Sequence, residues 1–558
     1  MTDASRTPSQ VDTIADAWVD TLAELSPMLA TYIGRSEYND RFGDYSPAGA
    51  ERLAEAARST LAALDAAVPA DEIDRITKED LSRDLRLELE LLDANWHLRD
   101  LNVIASPAQE LRSVFDLMPT ATTDDWSVIA TRLKALPGAI DGYVETLREG
   151  IAKGVVPARR QVLEVVTQIA RYTGDSGYFA TFAGDAAPAE GQLPASLARD
   201  LSDNANAARV AYDQLASFLG TELAAAAVEK DAVGRELYAL QSQRFLGATI
   251  DLDETYEWGV EELARMVAEQ ESIANEIKAG ASVEEAVAFL EGDSSRKLHG
   301  TDALQKWMQA TSDRAIEELG RSHFDIPEPI RKLECMIAPT NEGGIYYTGP
   351  TDDFSRPGRM WWSVPEGVNE FDTWRELTTV YHEGVPGHHL QIAQAVYNRA
   401  ELNSWRRLLA GTSGHAEGWA LYAERLMQDL GFLEDPADRL GMLDGQRMRA
   451  ARVVLDIGVH LEKPRLDGAG TWDADYALEF MLRNVNMPPE FVRFEVNRYL
   501  GWPGQAPSYK VGQRIWEQVR DDYRALKGDA FSMKDFHKRA LDMGGVGLDT
   551  LRTALLQG

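Results

Sequence analysis

Residues 381–390 read Tyr-His-Glu-Gly-Val-Pro-Gly-His-His-Leu. Imidazole nitrogens and carboxylate oxygens are the donors that hold zinc at about 2.0–2.1 Å, and a carboxylate beside a metal can serve as a general base. Spacing decides whether these residues can share one ion. On an ideal helix each residue advances about 100° and about 1.5 Å, so His382 and His388 point about 120° apart, while His382 and His389 share a face about 10 Å apart. Neither pair serves one metal on a regular helix. Pro386 and Gly387 change that geometry. Proline removes a backbone donor and clashes with the carbonyl four residues back. It also disfavours the α region at Val385, and Gly387 can adopt conformations closed to other residues. A widened or broken turn swings His388 back toward His382 and leaves Glu383 beside the first ligand. In the competing reading Pro386 merely starts a new helix and the histidines are incidental. Five of the nine histidines (382, 388, 389, 415 and 460) fall within positions 382–460, which favours a site.

The elements that must position these residues are mostly helices. Ile14, Trp18, Leu22 and Leu25 recur at helical spacing, and the segments around residues 80–98, 139–154, 195–220 and 255–277 keep a period near 3.6. Residues 184–196 are rich in Ala, Pro and Gly and read as a surface loop. After about residue 325 the texture changes. Pro329–Pro339, Gly343–Pro350 and Arg356–Pro365 are short runs bounded by Gly and Pro, as expected of strands. Helical periodicity returns at Phe371. The expected fold is mainly α, with one small antiparallel sheet near residues 329–365 beside a cleft. The expected organisation is a helical lobe over 1–325 and a site-bearing lobe over 326–558, together one compact unit.

The run His382-Glu-Gly-Val-Pro-Gly-His388 resembles the H-E-x-x-P-G-H signature of the DUF885 family, itself similar to a distant branch of the H-E-x-x-H zinc metallopeptidases. Residues 414–426 (GHAEGWALYAERL) resemble the family's E-G-W-A-x-Y-A-E helix, and RVVLDIGVH and GWPGQAPSYKVG resemble its later motifs. The resemblance covers about the last 230 residues well. It implies a helical metallopeptidase-like fold around a Zn²⁺ held by His382, His388 and Glu417, with Glu383 as general base. Glu417 opens a strongly helical segment among the small residues Gly414, Ala416 and Gly418. Glu424, seven residues on, faces the same way and would orient a ligand histidine. Both glutamates could instead form a solvated acidic stripe. The resemblance also assigns Tyr509 and His460 as oxyanion or substrate contacts, with ordinary packing as the alternative. Lys510 and Arg514 are further candidates to meet a substrate carboxylate. Tyr346, Tyr347, Trp361 and Trp362 either line the cleft or belong to the core.

Bulk properties narrow the partners. With 57 Lys and Arg against 90 Asp and Glu, the formal net charge is -33, which disfavours phosphate backbones and hence nucleic acid. A single cysteine, Cys335, allows no internal disulfide and suits a reducing compartment; it reads as a buried apolar side chain. No stretch approaches the ~20 apolar residues that span a bilayer, and the start of the chain does not read as a signal peptide. The expectation is a cytoplasmic zinc-dependent hydrolase of peptide bonds acting on short peptides or other small amides, without nucleic-acid or membrane partners. The alternatives are a non-catalytic metal- or peptide-binding protein of the same fold, and a metal hydrolase of other amides or esters.

Overall fold

Helical periodicity at the start of the chain becomes helix because caps and apolar faces agree. Ser9 accepts from the Asp12 amide at 3.0 Å while Asp12 accepts from the Ser9 amide at 2.8 Å, closing a capping box on the helix Gln10–Leu25. In the computed structural model, which describes residues 6–339 and 344–557, helices carry most of the chain and two small sheets account for the strands. The long helix Thr123–Lys153 runs through Pro137 and packs on Ala195–Phe218. Together they bury Ile129, Leu133, Ile140, Tyr212 and Leu215 in a core confined to residues 101–224. The largest core gathers Ile76 and apolar side chains from Tyr238 to Leu555, and crosses residue 325 without a break. Its spine is the pairing of Leu252–Ile277 with Pro436–His460.

The three predicted strands form as β2 (Leu333–Ile337), β3 (Ile345–Thr348) and β4 (Gly358–Trp362), in the order β2-β4-β3. Gly343, the first residue of the second expected run, lies outside the described residues. The sheet is mixed rather than antiparallel: β3 pairs antiparallel with β4, but β2 runs parallel to it. A parallel pair needs a crossover between its strands, and the chain supplies one by passing through the far strand β3 before returning to the centre. A second ladder pairs β1 (Lys297–His299) with β5 (Glu370–Asp372). Cys335 points inward from β2 and is 2% exposed, and burial pushes its thiol up to about 11.

Two contacts in this frame matter for the site. The helix Ser413–Asp429 and the helix Ser508–Lys527 approach through glycines. A Cβ on Gly418 would stand 2.4 Å from the Gly512 backbone, and one on Gly512 would stand 2.2 Å from the Gly414 carbonyl oxygen. The small residues noted around Glu417 therefore serve the close helix approach expected of them. The other contact is an aromatic cluster: Trp419, fully buried, lies 5.0 Å from Trp516 and 5.5 Å from His537 between ring centroids.

Because the groups that a new Cβ would meet are backbone and not a flexible side chain, Gly512→Ala should force the two helices apart. The expected loss is about 1–3 kcal/mol, read as a lower midpoint of chemical denaturation; an unchanged midpoint would refute the close approach.

Candidate metal centre

Three helices deliver three donors. His382 sits in the last turn of Thr373–Glu383, His388 opens the next helix, His388–Tyr397, and Glu417 lies in the second turn of Ser413–Asp429. The regular helix stops at Gly384, and the chain passes through the cis Val385–Pro386 bond and Gly387 before turning again. Gly387 donates its N–H to the Tyr381 carbonyl at 3.1 Å, and His389 donates to the Gly384 carbonyl at 3.1 Å. A Cβ on Gly387 would lie 1.9 Å from the His382 carbonyl oxygen. Only glycine lets the chain fold back this tightly on the end of the first helix. The Trp419 indole N–H then donates to the carbonyls of Pro386 at 2.9 Å and Gly387 at 3.2 Å. The helix that carries Glu417 thus pins the turn between the two histidines.

The outcome is convergence. The two imidazole rings stand perpendicular, 4.8 Å apart at their centroids. Glu417 Oε2 is 3.3 Å from His382 Nε2 and 3.6 Å from His388 Nε2, and the three donor atoms all lie within 4.8 Å of one another. Two donors on one tetrahedral zinc are separated by about 3.3 Å, given bonds of about 2.0–2.1 Å. Both contacts to Glu417 match that edge. Glu417 Oε2 is itself buried without a hydrogen-bond partner, as is His388 Nδ1. A buried, unpaired carboxylate oxygen is costly, and a cation held by the two imidazoles and Glu417 satisfies it. Among the described residues this is the one such group of donors. His382, His388 and Glu417 therefore fit a zinc-type ion.

The surroundings fix the orientation of His382. Its Nδ1 lies 2.8 Å from Glu424 Oε1, so an Nδ1–H donated to Glu424 leaves the Nε2 lone pair facing the cluster. Gln446 donates to Glu424 Oε2 at 3.1 Å, and the ammonium of Lys510 donates to Gln446 Oε1 at 2.7 Å and pairs with Glu262 at 3.0 Å. Burial works against charge on His382, but Glu417 and Glu424 at its two nitrogens outweigh it and raise the imidazole to about 10. Burial likewise pushes the Glu417 carboxyl up, and the two neighbouring imidazoles overcome this and hold it well below the usual carboxylate range. The same balance, with His382 and then Arg449, keeps Glu424 low. The position at His382 Nε2 thus favours positive charge.

Glu383 differs from both. It ends the His382 helix and is 7% exposed, and its carboxylate makes no hydrogen bond to the other described residues. Burial, aided by the charge of Glu417, outweighs the pull of His388, His382 and Arg449 and raises its carboxyl above the usual range. Tyr509 is half-buried at the start of its helix, with the guanidinium carbons of Arg449 and Arg452 at 5.8 and 5.3 Å from its ring centroid. Burial first, then the charge of Glu417, push its phenol up to about 12, so it remains a donor.

His460 stands elsewhere. It is 0% exposed, its Nε2 donates to the Tyr499 carbonyl at 3.1 Å, and its ring stacks on Tyr238 at 5.6 Å. None of these partners belongs to the cluster, and with no exposed surface it cannot touch a substrate. As the last residue of a helix whose preceding turns are wholly buried, it belongs to the core. Lys510 and Arg514 are not free for a substrate carboxylate either. Lys510 is held by Glu262, Gln446 and Gln513, and Arg514 by Glu254. His389 links sheet and site, with Nε2 donating to the Ile330 carbonyl at 2.7 Å and Nδ1 accepting from the Tyr347 hydroxyl at 2.9 Å. Trp362 is core, while Tyr346 is 41% exposed and stacks on Trp361. The sequence reading passed over Gln446 and Arg449. Their three-residue spacing from each other and from Arg452 places all three near one face of Pro436–His460, the one signal that could have found them.

A mainly helical protein with a His-His-Glu cluster, backed by a buried carboxylate, is the class that fold and site define. Within it the chain belongs to the DUF885 family, described as bacterial protein of unknown function, which matches residues 27–555. Among solved structures it is similar to a "putative lipoprotein" from Colwellia psychrerythraea, with a TM-score of 0.85, 21% identity and 98% of each chain covered. It is also similar to a second protein so titled, of unknown function, from Shewanella oneidensis, with a TM-score of 0.75, 17% identity and 98% of this chain and 99% of that one covered. At these identities the likeness establishes the fold. No curated protein matches the chain.

Burial lowers the His460 imidazole from 6.5 to about 4. The unfolded chain therefore binds a proton that the folded one refuses, and stability present above pH 6.5 is lost as pH falls toward 4, by at most about 3 kcal/mol. In His460→Gln, whose amide can keep the bond to Tyr499, denaturation stability should fall less steeply between pH 6.5 and 4.5, by about one proton. An identical slope would show that His460 does not titrate in this way.

Proposed function

We propose that the chain is a zinc-dependent hydrolase of peptide or related amide bonds that acts on short peptides. The observation that carries this reading is the convergence of His382, His388 and Glu417 beside a glutamate that is committed to nothing else. A zinc ion held there would supply Lewis-acid chemistry, polarising a carbonyl and making water more acidic.

The chain's own residues do the rest. Glu424 holds the His382 tautomer. Glu383, with its raised proton affinity, takes a proton from the attacking water and returns it to the leaving amine. The Tyr509 hydroxyl, still protonated at neutral pH, donates to the oxyanion that develops on the carbonyl. β3 is an outer strand of its sheet and is tied to the His388 helix through Tyr347 and His389. An extended peptide can pair with it there. A protein that only bound metal would need no free carboxylate beside the ligands, and Glu383 favours the catalytic reading for that reason.

Side-chain exposure rises from 7% at His382 through 11% at His388 to 23% at Glu417, so substrate enters from the Glu417 side. Elemental analysis should find about one zinc per wild-type chain and a large loss in His382→Ala, His388→Ala and Glu417→Ala; full occupancy in those variants would refute the site. Glu383→Gln should keep its metal and lose about 10²- to 10⁴-fold in turnover of a short-peptide panel. If the panel is untouched by wild type while amide or ester small molecules are cleaved, the substrate class is wrong and the chemistry stands.

A further inference from the structure

Around the cluster, the cationic side chains of the described residues come in satisfied sets, with one exception. Arg452 donates to Tyr499 and Glu495 at 2.7 and 2.8 Å, Arg498 to Glu495 and Gln505, and Lys510 is enclosed by Glu262, Gln446 and Gln513. The Arg449 side chain makes no ion pair and no hydrogen bond with the other described residues, and its Nε–H is buried without a partner. Its guanidinium nonetheless belongs to the site. It stands near the Tyr509 ring, and its charge acts on Glu383, Glu424 and Tyr509. A Cβ on Gly445 would stand 2.6 Å from one of its terminal nitrogens. The side chain therefore lies back over the preceding turn, and Gly445 gives it the room to do so.

We propose that Arg449 is the residue that binds a carboxylate of the substrate, and that the site selects short peptides with a carboxylate close to the scissile bond. A guanidinium presents a planar fork of donors that matches a carboxylate in two parallel bonds. Here the fork is held half-buried, where such bonds are strongest, and it is not spent on any neighbour. A cation present only to balance Glu383 and Glu424 would be expected to hydrogen-bond one of them. Gln446, and not Arg449, donates to Glu424, and Glu383 receives nothing. The carboxylate has two possible sources, the C-terminus of the peptide or an Asp or Glu side chain beside the cleaved bond. This inference rests on the hydrolase reading for the words substrate and scissile, but not for the binding itself.

The test uses full-length, zinc-loaded protein and four peptides of one length: free or amidated at the C-terminus, and with Glu or Gln beside the central bond. Arg449→Met should keep its zinc and lose about ten- to a hundredfold in kcat/KM on the carboxylate-bearing peptides, through KM. It should lose less than about twofold on the peptide that lacks any carboxylate. Arg449→Lys keeps the charge without the fork and should fall between. Which peptide loses the most identifies the source of the carboxylate. Calorimetric titration of the same peptides into Glu383→Gln, with and without the Arg449 change, reads binding when nothing is cleaved. Selective weakening there, without hydrolysis by wild type, would leave the anchor standing and remove the hydrolase reading. Equal weakening of all four peptides, or no binding of any, would overturn the proposal.

Discussion

The centre depends on a single close approach, Gly387 folded against the carbonyl of His382. Six residues separate the two histidines, a spacing that a continuous helix turns outward by about 120°. The chain cancels that angle by ending one helix and starting the next almost on top of it. Glycine makes the approach sterically possible, and Trp419 holds the two carbonyls that the break sets free. Those carbonyls lie in a buried segment and would each be costly without a donor. The indole that satisfies them projects from the helix that carries Glu417, two residues further along. One contact therefore sets the angle between the two imidazole donors and the height of the carboxylate.

Around this turn the protein keeps an unusual amount of buried charge. The line His382, Glu424, Gln446, Lys510 and Glu262 joins five helices, and its members are 9% exposed or less. Replacing such a chain by apolar groups is often neutral or stabilising, because desolvating each ion offsets what its partner returns. Stability is thus a weak explanation for its presence. Position is a better one. Each member has a partner on both sides, so His382 can neither rotate nor exchange its tautomer without breaking bonds through four other helices. The apolar core beside it, built on Trp419, Trp516 and the glycine contact of two helices, supplies the rigidity and the stability that the polar line does not.

How far the site was legible follows from how local each signal is. The grouping of His382, His388, Glu417 and Glu424, with Glu383 beside them, was readable because motif and helix spacing are local, and Pro386-Gly387 marked where the helix breaks. The three strands of the mixed sheet were readable from their Gly and Pro boundaries, but strand direction depends on the order of pairing, which those boundaries do not encode. The β1–β5 ladder has three residues on each side, too few for any period to appear. His460 was misplaced because a histidine at a helix end looks alike whether the helix points into a cleft or into the core. Lys510 and Arg514 suffered the opposite error: their counter-ions Glu262 and Glu254 lie on a helix some 250 residues earlier, and pairing at that distance is invisible along the chain. Arg449 was overlooked for a related reason, since a residue is conspicuous by lacking a partner only once all the partners are in place.

Electrostatics finally separates the roles of three glutamates that composition alone treats as equal. Glu417 and Glu424 flank one imidazole and are held low by it, and in return they raise that imidazole to about 10. The pocket between them is built for positive charge, and a proton and a divalent ion compete for the same nitrogen. Glu383 lies just beyond, buried but flanked only by rings already engaged with other carboxylates, and its own affinity for a proton rises. Pairs of neighbouring carboxyls pushed in opposite directions are how a protein assigns one to hold charge and the other to move protons. The fold achieves this split without any special chemistry at Glu383. It engages both histidines with the other two glutamates first, and Glu383 is the carboxylate left without such a partner.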